Sequence, residues 1–209
     1  MRLSLEACYE ILLKNQLPPH IVRHSEKVAL ISNLLGCALI LKGETLDIEI
    51  LTFAALLHDV KKYESIVKGI DHAEEGYSYL CELGYKRIAE IVRAHIYLPD
   101  STLLKEVVTE EEVVFYADKR VMHESIVSIE ERFEDLRKRY GKTKERIERL
   151  NKLEKFSKLL EAKIFKKLDF SPDVLKRLED VKEAKDVLKR GIEDCTDCWR
   201  DILRKGSSP

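Results

Sequence analysis

The chain has 209 residues, of which 44% are hydrophobic and 36% are charged, and it contains eight Gly and five Pro. This composition is typical of a helical globular protein and unlike that of a disordered chain. The formal net charge of -1 lacks the basic excess of a nucleic-acid-binding protein, and no stretch approaches 18 uninterrupted apolar residues, so we predict neither a nucleic-acid footprint nor a membrane span.

Helical periodicity runs along nearly the whole chain, and alternating, strand-like stretches are almost absent. Start signals support some of the predicted helices: Asp71 and Glu74 form a capping-box pattern, and Ser171 precedes a proline. We predict nine helices, at residues 4–15, 19–42, 47–61, 72–83, 86–95, 109–122, 125–140, 144–168 and 172–204, the last with a break near Gly191. The predicted fold class is therefore all-α, with a frayed tail at 205–209.

Charge divides the chain into two parts of different character. Residues 1–125 carry 14 Lys and Arg against 20 Asp and Glu and hold all six histidines, whereas residues 126–209 carry 23 against 18. The second part resembles helices with wide solvated faces. We therefore expect a chemical domain at 1–140 and a charged helical extension at 141–209, which either packs on the core or serves oligomerisation, for example as a homodimer.

The five cysteines lie at scattered positions and predict no disulfide framework. Together with the lack of a signal-peptide pattern, this indicates a reduced, cytoplasmic protein. Cys195 and Cys198 form one C-x-x-C pair, which could be a redox or zinc motif. Because no second pair completes a tetrahedral site, we interpret it as structural or incidental.

Several metal-binding residue types occupy positions that the pattern marks as buried. In the second, fifth and sixth predicted helices, His24, His95 and Asp118 each stand where an aliphatic side chain would continue the apolar stripe. His58 and Asp59 directly follow a run that is apolar nearly all round. Burying such groups is unfavourable unless a partner compensates them.

A divalent metal is the simplest counter-charge for these groups. One buried histidine is ordinarily a core side chain that bonds a backbone carbonyl, but five such positions with few basic residues on the same faces favour a metal. Imidazole and carboxylate without thiolate indicate Fe, Mn, Co, Ni, Zn or Mg and argue against a structural zinc site. On a helix, His58 and Asp59 would diverge by about 100°, so they could not hold one ion as an i, i+4 pair would. A metal over the groove between them could still meet both, and Asp59 could also bridge to a second ion.

The order and placement of His24, His58-Asp59 and Asp118 resemble the H…HD…D pattern of the HD-domain superfamily of metal-dependent phosphohydrolases. The resemblance covers about residues 18–135, and Lys62 matches the lysine of the family's HD-x-x-K element. It implies an HD-domain helical bundle within residues 1–140, followed by the C-terminal helical extension. The HDIG and GYP sequences of neighbouring subfamilies are absent.

A subset of the superfamily adds two histidines between HD and the final aspartate, and His72 and His95 match them. The resemblance therefore implies two divalent ions. The first would be held by His24, His58, Asp59 and Asp118, and the second by Asp59, His72 and His95. His72 also fits a surface histidine, because it lies at a predicted helix start.

The resemblance further implies hydrolysis of a phosphate ester or phosphoanhydride by a metal-activated hydroxide. Asp59 and Lys62 are the predicted catalytic residues, and Lys62, His20 and Arg23 are the predicted substrate contacts. We expect Lys62 to lie one turn beyond His58 on the same helix. The expected substrate is a small phosphorylated molecule such as a nucleotide, although no Gly-rich phosphate loop is present.

Other charged residues near the pattern are given ordinary roles. We interpret Lys27 and Lys119 as surface charges and His123 as structural. An alternative function is a non-catalytic HD-fold regulatory module that binds a nucleotide or a protein partner. Loss of metal ligands would mark such a module, whereas here all six positions are filled.

Overall fold

The computed structural model describes residues 3–204, and most of them are α-helical. The helices are α1 (Leu5–Lys14), α2 (Pro19–Leu41), α3 (Ile48–Leu57), α4 (Lys62–Lys68), α5 (His72–Glu82), α6 (Lys86–Ala94), α7 (Glu110–Lys119), α8 (Ile129–Tyr140), α9 (Lys144–Phe165), α10 (Ala184–Glu193) and α11 (Arg200–Arg204). Asp100–Leu104 and Pro172–Asp180 are 3₁₀ helices, and β1 (Val121–Met122) pairs antiparallel with β2 (Ser125–Ile126). The prediction of an all-α fold is confirmed, and the tail at 205–209 lies outside the described residues.

The centre of the fold is α2, which packs against α3, α7 and α10. Its residues are buried almost continuously from Val28 to Leu39. Among the described residues, α2 is the one helix long and apolar enough to cross a membrane by length and composition, and 78% of its most apolar window is buried inside the fold. A buried core helix satisfies the same criteria, so this finding is weak evidence for a membrane.

Side-chain caps fix the starts of α5, α7 and α8. Asp71 accepts hydrogen bonds from the backbone of Ala73 and Glu74, which confirms that α5 begins where its cap was predicted. Two reciprocal capping boxes, at Thr109 with Glu112 and at Ser128 with Glu131, begin α7 and α8. Both follow the S/T-x-x-E pattern and could have been read from the sequence.

The helix predicted at 47–61 ends instead at Leu57. A turn follows, in which the Val60 and Lys62 amides donate to the carbonyls of Leu57 and Asp59, and α4 then begins at Lys62. We expected Lys62 to lie on the same helix as His58, and this expectation is wrong. Because the two residues of the HD pair lie in this turn, the 100° divergence of neighbouring side chains on a helix does not apply to them.

The helices predicted at 109–122 and 125–140 are separated by the β1–β2 hairpin. His123 lies in its turn with a φ of 56°, a left-handed conformation that interrupts any helix and is uncommon for residues other than glycine. The chain thus reverses between α7 and α8, and the turn places the His123 carbonyl beside α2.

The helix predicted at 172–204 is three separate pieces, with breaks before α10 and before α11. Gly191, where we expected a break, lies inside α10. In the extension, α9 packs against α7 and α8, and α10 packs against α2 and α3. The described part of residues 141–209 therefore contacts the core, while the boundary at 140 and any role in oligomerisation stay predictions.

Cys37 on α2 and Cys195 after α10 form a disulfide that spans 158 positions of sequence. The expectation of a fully reduced chain is wrong for this pair, because residues so far apart become neighbours only when α10 docks on α2. Cys198 is a free, half-buried thiol whose Sγ lies 3.4 Å from the Val187 carbonyl oxygen. Cys195 and Cys198 of the C-x-x-C pair are therefore not bonded to each other.

Candidate metal centre

Three buried histidines of the cluster are held in the same way. The Nδ1 atoms of His24, His58 and His95 donate to the backbone carbonyls of His123, Ala55 and Val92 at 2.8, 2.7 and 2.5 Å. A carbonyl only accepts, so each Nδ1 carries a proton and each ring turns its Nε2 atom to the opposite side. This orientation, set by a backbone acceptor, is typical of histidines that ligate metals.

Asp59 lies at the middle of the cluster and is 1% exposed. Its Oδ2 atom is 3.3 Å from His58 Nε2, and its Oδ1 atom is 3.2 Å from His72 Nε2 and 3.7 Å from His95 Nε2. The two oxygens of one carboxylate therefore face different histidines.

Asp118 completes the cluster from α7. Its Oδ1 atom lies 3.2 Å from His24 Nε2 and 3.6 Å from His58 Nε2. His24, His58 and Asp118 form one group whose donor atoms lie within 4.8 Å of one another, and His58, Asp59 and His95 form a second. The structure thus brings the predicted ligands together, with His72 joined to them through Asp59 and through a contact of 3.3 Å between its Nε2 and that of His95.

Two lysines compensate the carboxylates, contrary to the expectation that few basic residues would do so. Lys62 Nζ lies 2.6 Å from Asp59 Oδ2, and Lys119 Nζ lies 2.7 Å from Asp118 Oδ2. Lys119 is 6% exposed, so its interpretation as a surface charge is wrong. Its ammonium group also donates to the His95 carbonyl at 3.0 Å and lies over the Phe115 ring.

Among the described residues, the side chains of the other charged candidates make no hydrogen bond or ion pair with the cluster. Arg23 is bound by Glu124 through two hydrogen bonds, at 2.5 and 3.0 Å, and half of its side chain is exposed. Lys27 donates to backbone carbonyls of the 3₁₀ helix Pro172–Asp180. His20 is exposed, without a hydrogen bond or ion pair to the cluster among the described side chains. His123 acts through its carbonyl, which agrees with a structural role.

The charges of the cluster are strongly coupled. Burial raises the pKa of Asp59, but the Lys62 ammonium and His58 outweigh burial and hold it well below its ordinary value. Burial likewise opposes ionisation of Asp118, yet Lys119 and the neighbouring imidazoles keep its pKa well below the ordinary value. Both carboxylates are therefore ionised at neutral pH.

The imidazoles respond differently to the same surroundings. Burial lowers the pKa of His24, and burial together with His58 lowers that of His95 well below the ordinary value, so both rings are neutral. Burial also opposes the charge on His58, but Asp59 and Asp118 overcome it and raise its pKa to about 9. Without a metal, His58 is therefore the cationic ring of the cluster.

The donor set fits a divalent metal ion. His58 Nε2 and Asp59 Oδ1 are two of the six buried side-chain polar atoms without a hydrogen-bond partner among the described residues, and both face other potential metal ligands of the cluster. Unpartnered buried polar atoms are unfavourable, and a cation coordinated between them would satisfy both. Nitrogen and oxygen donors without thiolate are those of a hard or borderline divalent ion.

These features define an all-α protein with a buried His/Asp centre suited to a divalent ion. The HD domain family model matches residues 21–123. A protein of Methanocaldococcus jannaschii described as uncharacterized is 30% identical over 152 residues, which cover 66% of this chain and 88% of that relative. No solved structure matches the chain significantly. The chain belongs to the HD-domain superfamily, whose members generally are hydrolases and typically bind divalent metals.

The pKa of His58 predicts how metal binding depends on pH. A protonated ring cannot ligate, so an ion must displace the His58 proton, and we expect affinity to rise from pH 6 toward about 9 and then level off. Calorimetric titration with Mn²⁺ in two buffers of different ionisation enthalpy measures the protons released per ion. Affinity that is constant between pH 6 and 9, with no proton release, would contradict this assignment.

Lys119 bonds both the Asp118 carboxylate and the His95 backbone carbonyl, so we expect its loss to weaken metal binding. Lys119→Met keeps an unbranched side chain at this position but removes the ammonium group that bonds Asp118. We expect a 10- to 100-fold weaker metal affinity, the usual range for residues that orient ligands. Lys61→Met is the matched control, since Lys61 bonds Glu64 and not the cluster. Equal metal dissociation constants in the two variants would refute the role of Lys119.

Proposed function

We propose that this chain is a metal-dependent phosphohydrolase that cleaves a phosphate ester or phosphoanhydride of a nucleotide or a related small molecule. The observation that carries the proposal is the common orientation of His24, His58 and His95, whose Nε2 atoms face two ionised, buried carboxylates. Membership of the HD-domain superfamily supports phosphate chemistry.

We further propose that the centre holds two ions. Support comes from the two overlapping donor groups and from Asp59, whose oxygens face different histidines. The ligands would be distributed as His24, His58, Asp59 and Asp118 for one ion and Asp59, His72 and His95 for the other. His72, a quarter of whose side chain is exposed, lies nearest to solvent among these six residues.

When bound, divalent ions lower the pKa of coordinated water and withdraw charge from a phosphoryl oxygen. The chain's own contribution comes from Lys62, a third of whose side chain is exposed, in contrast to the buried Lys119. Its ammonium can turn from Asp59 to a phosphate oxygen of the substrate, since a carboxylate held by a metal needs the lysine less. Lys62 is therefore the residue we assign to charge stabilisation of the phosphoryl group.

One observation favours the alternative of a regulatory module without turnover. Lys62 and Lys119 each pair with a carboxylate of the cluster, as a scaffold that folds without a metal would require. Only the metal content and turnover separate the two functions.

The test is elemental analysis of the protein as purified, followed by an activity screen with Mn²⁺, Fe²⁺, Co²⁺ and Ni²⁺. Phosphomonoesters, phosphodiesters and nucleotides are the substrates. We expect about two ions per chain and metal-dependent release of phosphate or nucleotide. One ion per chain would refute the dinuclear proposal alone, whereas bound metal without any turnover would favour the regulatory module.

A further inference from the structure

Arg132 on α8 is a buried arginine whose charge is poorly compensated. Nine-tenths of its side chain is buried, and its Nε atom has no hydrogen-bond partner among the described residues. Its ion pair with Asp135 joins Nη1 to Oδ2 at 3.6 Å, which is too long for a hydrogen bond. The same Oδ2 atom already accepts a hydrogen bond from Arg139. A buried guanidinium in this state is unfavourable unless a further partner binds it.

The position of Arg132 in α8 accounts for its burial. Ile129, one turn before it, and Phe133, the residue after it, are 1% and 0% exposed, so Arg132 lies at the edge of the helix face that packs on the core. Helix α8 follows the β1–β2 hairpin, in which the His123 carbonyl accepts a hydrogen bond from His24 of the cluster. The helix that carries Arg132 therefore begins only a few residues after a contact with the metal centre.

Arg132 acts electrostatically on Lys62, the lysine that contacts Asp59. Burial lowers the pKa of Lys62, whereas Asp59 and Asp118 raise it above its ordinary value. The positive charge of Arg132 opposes this rise. Because the repulsion between two charges falls with distance, the two cations lie close together. A third of the Lys62 side chain is exposed, so the pair is open to a small solute on the Lys62 side.

We infer that Arg132 and Lys62 form a subsite for a phosphate oxyanion beside the His/Asp cluster, and that Arg132 is a substrate-binding residue of this chain. The planar guanidinium offers paired N–H donors that match two oxygens of a phosphate. Such an anion would supply the hydrogen bond that Nε lacks and the negative charge that Asp135 provides only at a distance. Because Arg132 is nearly buried, the ligand is a small anion and not an acidic protein or a nucleic acid.

The inference rests on the proposed function and deepens it by naming a second phosphate-binding residue. Lys62 must turn from Asp59 before it can bind an oxyanion, and Arg23 must first leave Glu124. The Arg132 side chain has no hydrogen bond to give up among the described residues. Arg132 is therefore preorganised for an anion, which lowers the free-energy cost of binding.

Arg132→Met tests the subsite by calorimetric titration with inorganic phosphate, on the protein as purified and again after treatment with a chelator. We expect the variant to bind phosphate about 10- to 100-fold more weakly in both preparations, the loss expected for charge-assisted hydrogen bonds. Arg146→Met is the matched control, because Arg146 on α9 is exposed and its side chain has no hydrogen bond or ion pair among the described residues. This control should bind phosphate as tightly as the natural chain.

Thermal unfolding separates a binding role of Arg132 from a structural one. An arginine that serves only the fold would stabilise it, whereas a buried charge without a full partner costs stability when no ligand is present. In phosphate-free buffer we expect the Tm of Arg132→Met to equal or exceed that of the natural chain. Phosphate should then raise the Tm of the natural chain more than that of the variant. A lower Tm without phosphate, together with an undiminished rise in phosphate, overturns the inference.

Arg132→Lys keeps the inference testable if Arg132→Met does not fold. Lysine keeps the positive charge but not the planar fork, so we expect this variant to bind phosphate more weakly than the natural chain. Phosphate affinity equal to that of the natural chain in the folded variants overturns the inference. It is also overturned if the natural chain binds no phosphate in either preparation.

Failure of the proposed function gives a different result. Absence of turnover in the activity screen would refute hydrolysis, and the phosphate titrations would still decide whether Arg132 binds an anion. Normal turnover by the natural chain, with unchanged phosphate affinity in Arg132→Met, overturns this inference alone.

Discussion

Asp59→Asn is expected to lose most of its bound metal and more than about 100-fold of its metal-dependent activity, a larger effect than for residues that only support ligands. The asparagine keeps the shape of the side chain but removes the negative charge that His58 faces on one side and His72 and His95 face on the other. It also presents an amide group where a cation must lie. Elemental analysis and the phosphate-release rate measure the two effects.

The control for Asp59→Asn is Asp100→Asn, which removes an exposed carboxylate from the 3₁₀ helix and should change neither quantity. Circular dichroism must show that the Asp59 variant retains its helices. A folded Asp59→Asn protein with full metal content and full turnover would exclude this cluster as the metal centre. A folded variant that keeps its metal but loses turnover would limit Asp59 to catalysis.

Gly191→Ala is expected to lower the free energy of unfolding by about 2–4 kcal/mol, within the range of overpacking combined with a disrupted buried hydrogen bond. A Cβ at this position would overlap the Asn33 side-chain amide. Asn33 cannot move freely, because it donates to Thr52 at 2.8 Å and accepts from the Trp199 indole at 2.8 Å. Urea denaturation measures the loss.

A double-mutant cycle separates this clash from a general effect of the substitution. In an Asn33→Ala background the obstructing amide is gone, so Gly191→Ala should be nearly neutral there, although Asn33→Ala itself destabilises the chain. Additive effects of the two substitutions would show that the contact between α10 and α2 is not the cause. Because α2 carries His24, the cycle also measures how much the contact between α10 and α2 stabilises the helix that carries this ligand.

The sequence could predict the ligands that interrupt an apolar stripe. His24 and Asp118 stand at positions where helical periodicity demands an aliphatic residue, and such a violation is visible from local sequence alone. His72 could not be found in this way, because its helix begins there and no stripe precedes it. Its place was indicated by the family resemblance, and its proximity to Asp59 appears only in the structure.

The partners of the ligands were not predictable from local sequence. The buried Lys119 ammonium donates to the His95 carbonyl and lies over the Phe115 ring, and no local pattern brings α6 and α7 together. The same holds for Cys37 and Cys195, which depend on the docking of α10. The turn at Asp59 could not be predicted either, because a run that is apolar nearly all round does not show where its helix ends.

The six proposed ligand residues belong to five separate segments of the chain, from α2 to α7. They meet only when those segments pack together. An ion that binds them therefore binds the folded chain and not the unfolded one. By mass action, free ion at 100 times its dissociation constant would add about 2.7 kcal/mol to the free energy of unfolding. Metal supply would thus govern how long the folded chain survives heat or proteases, independently of any turnover.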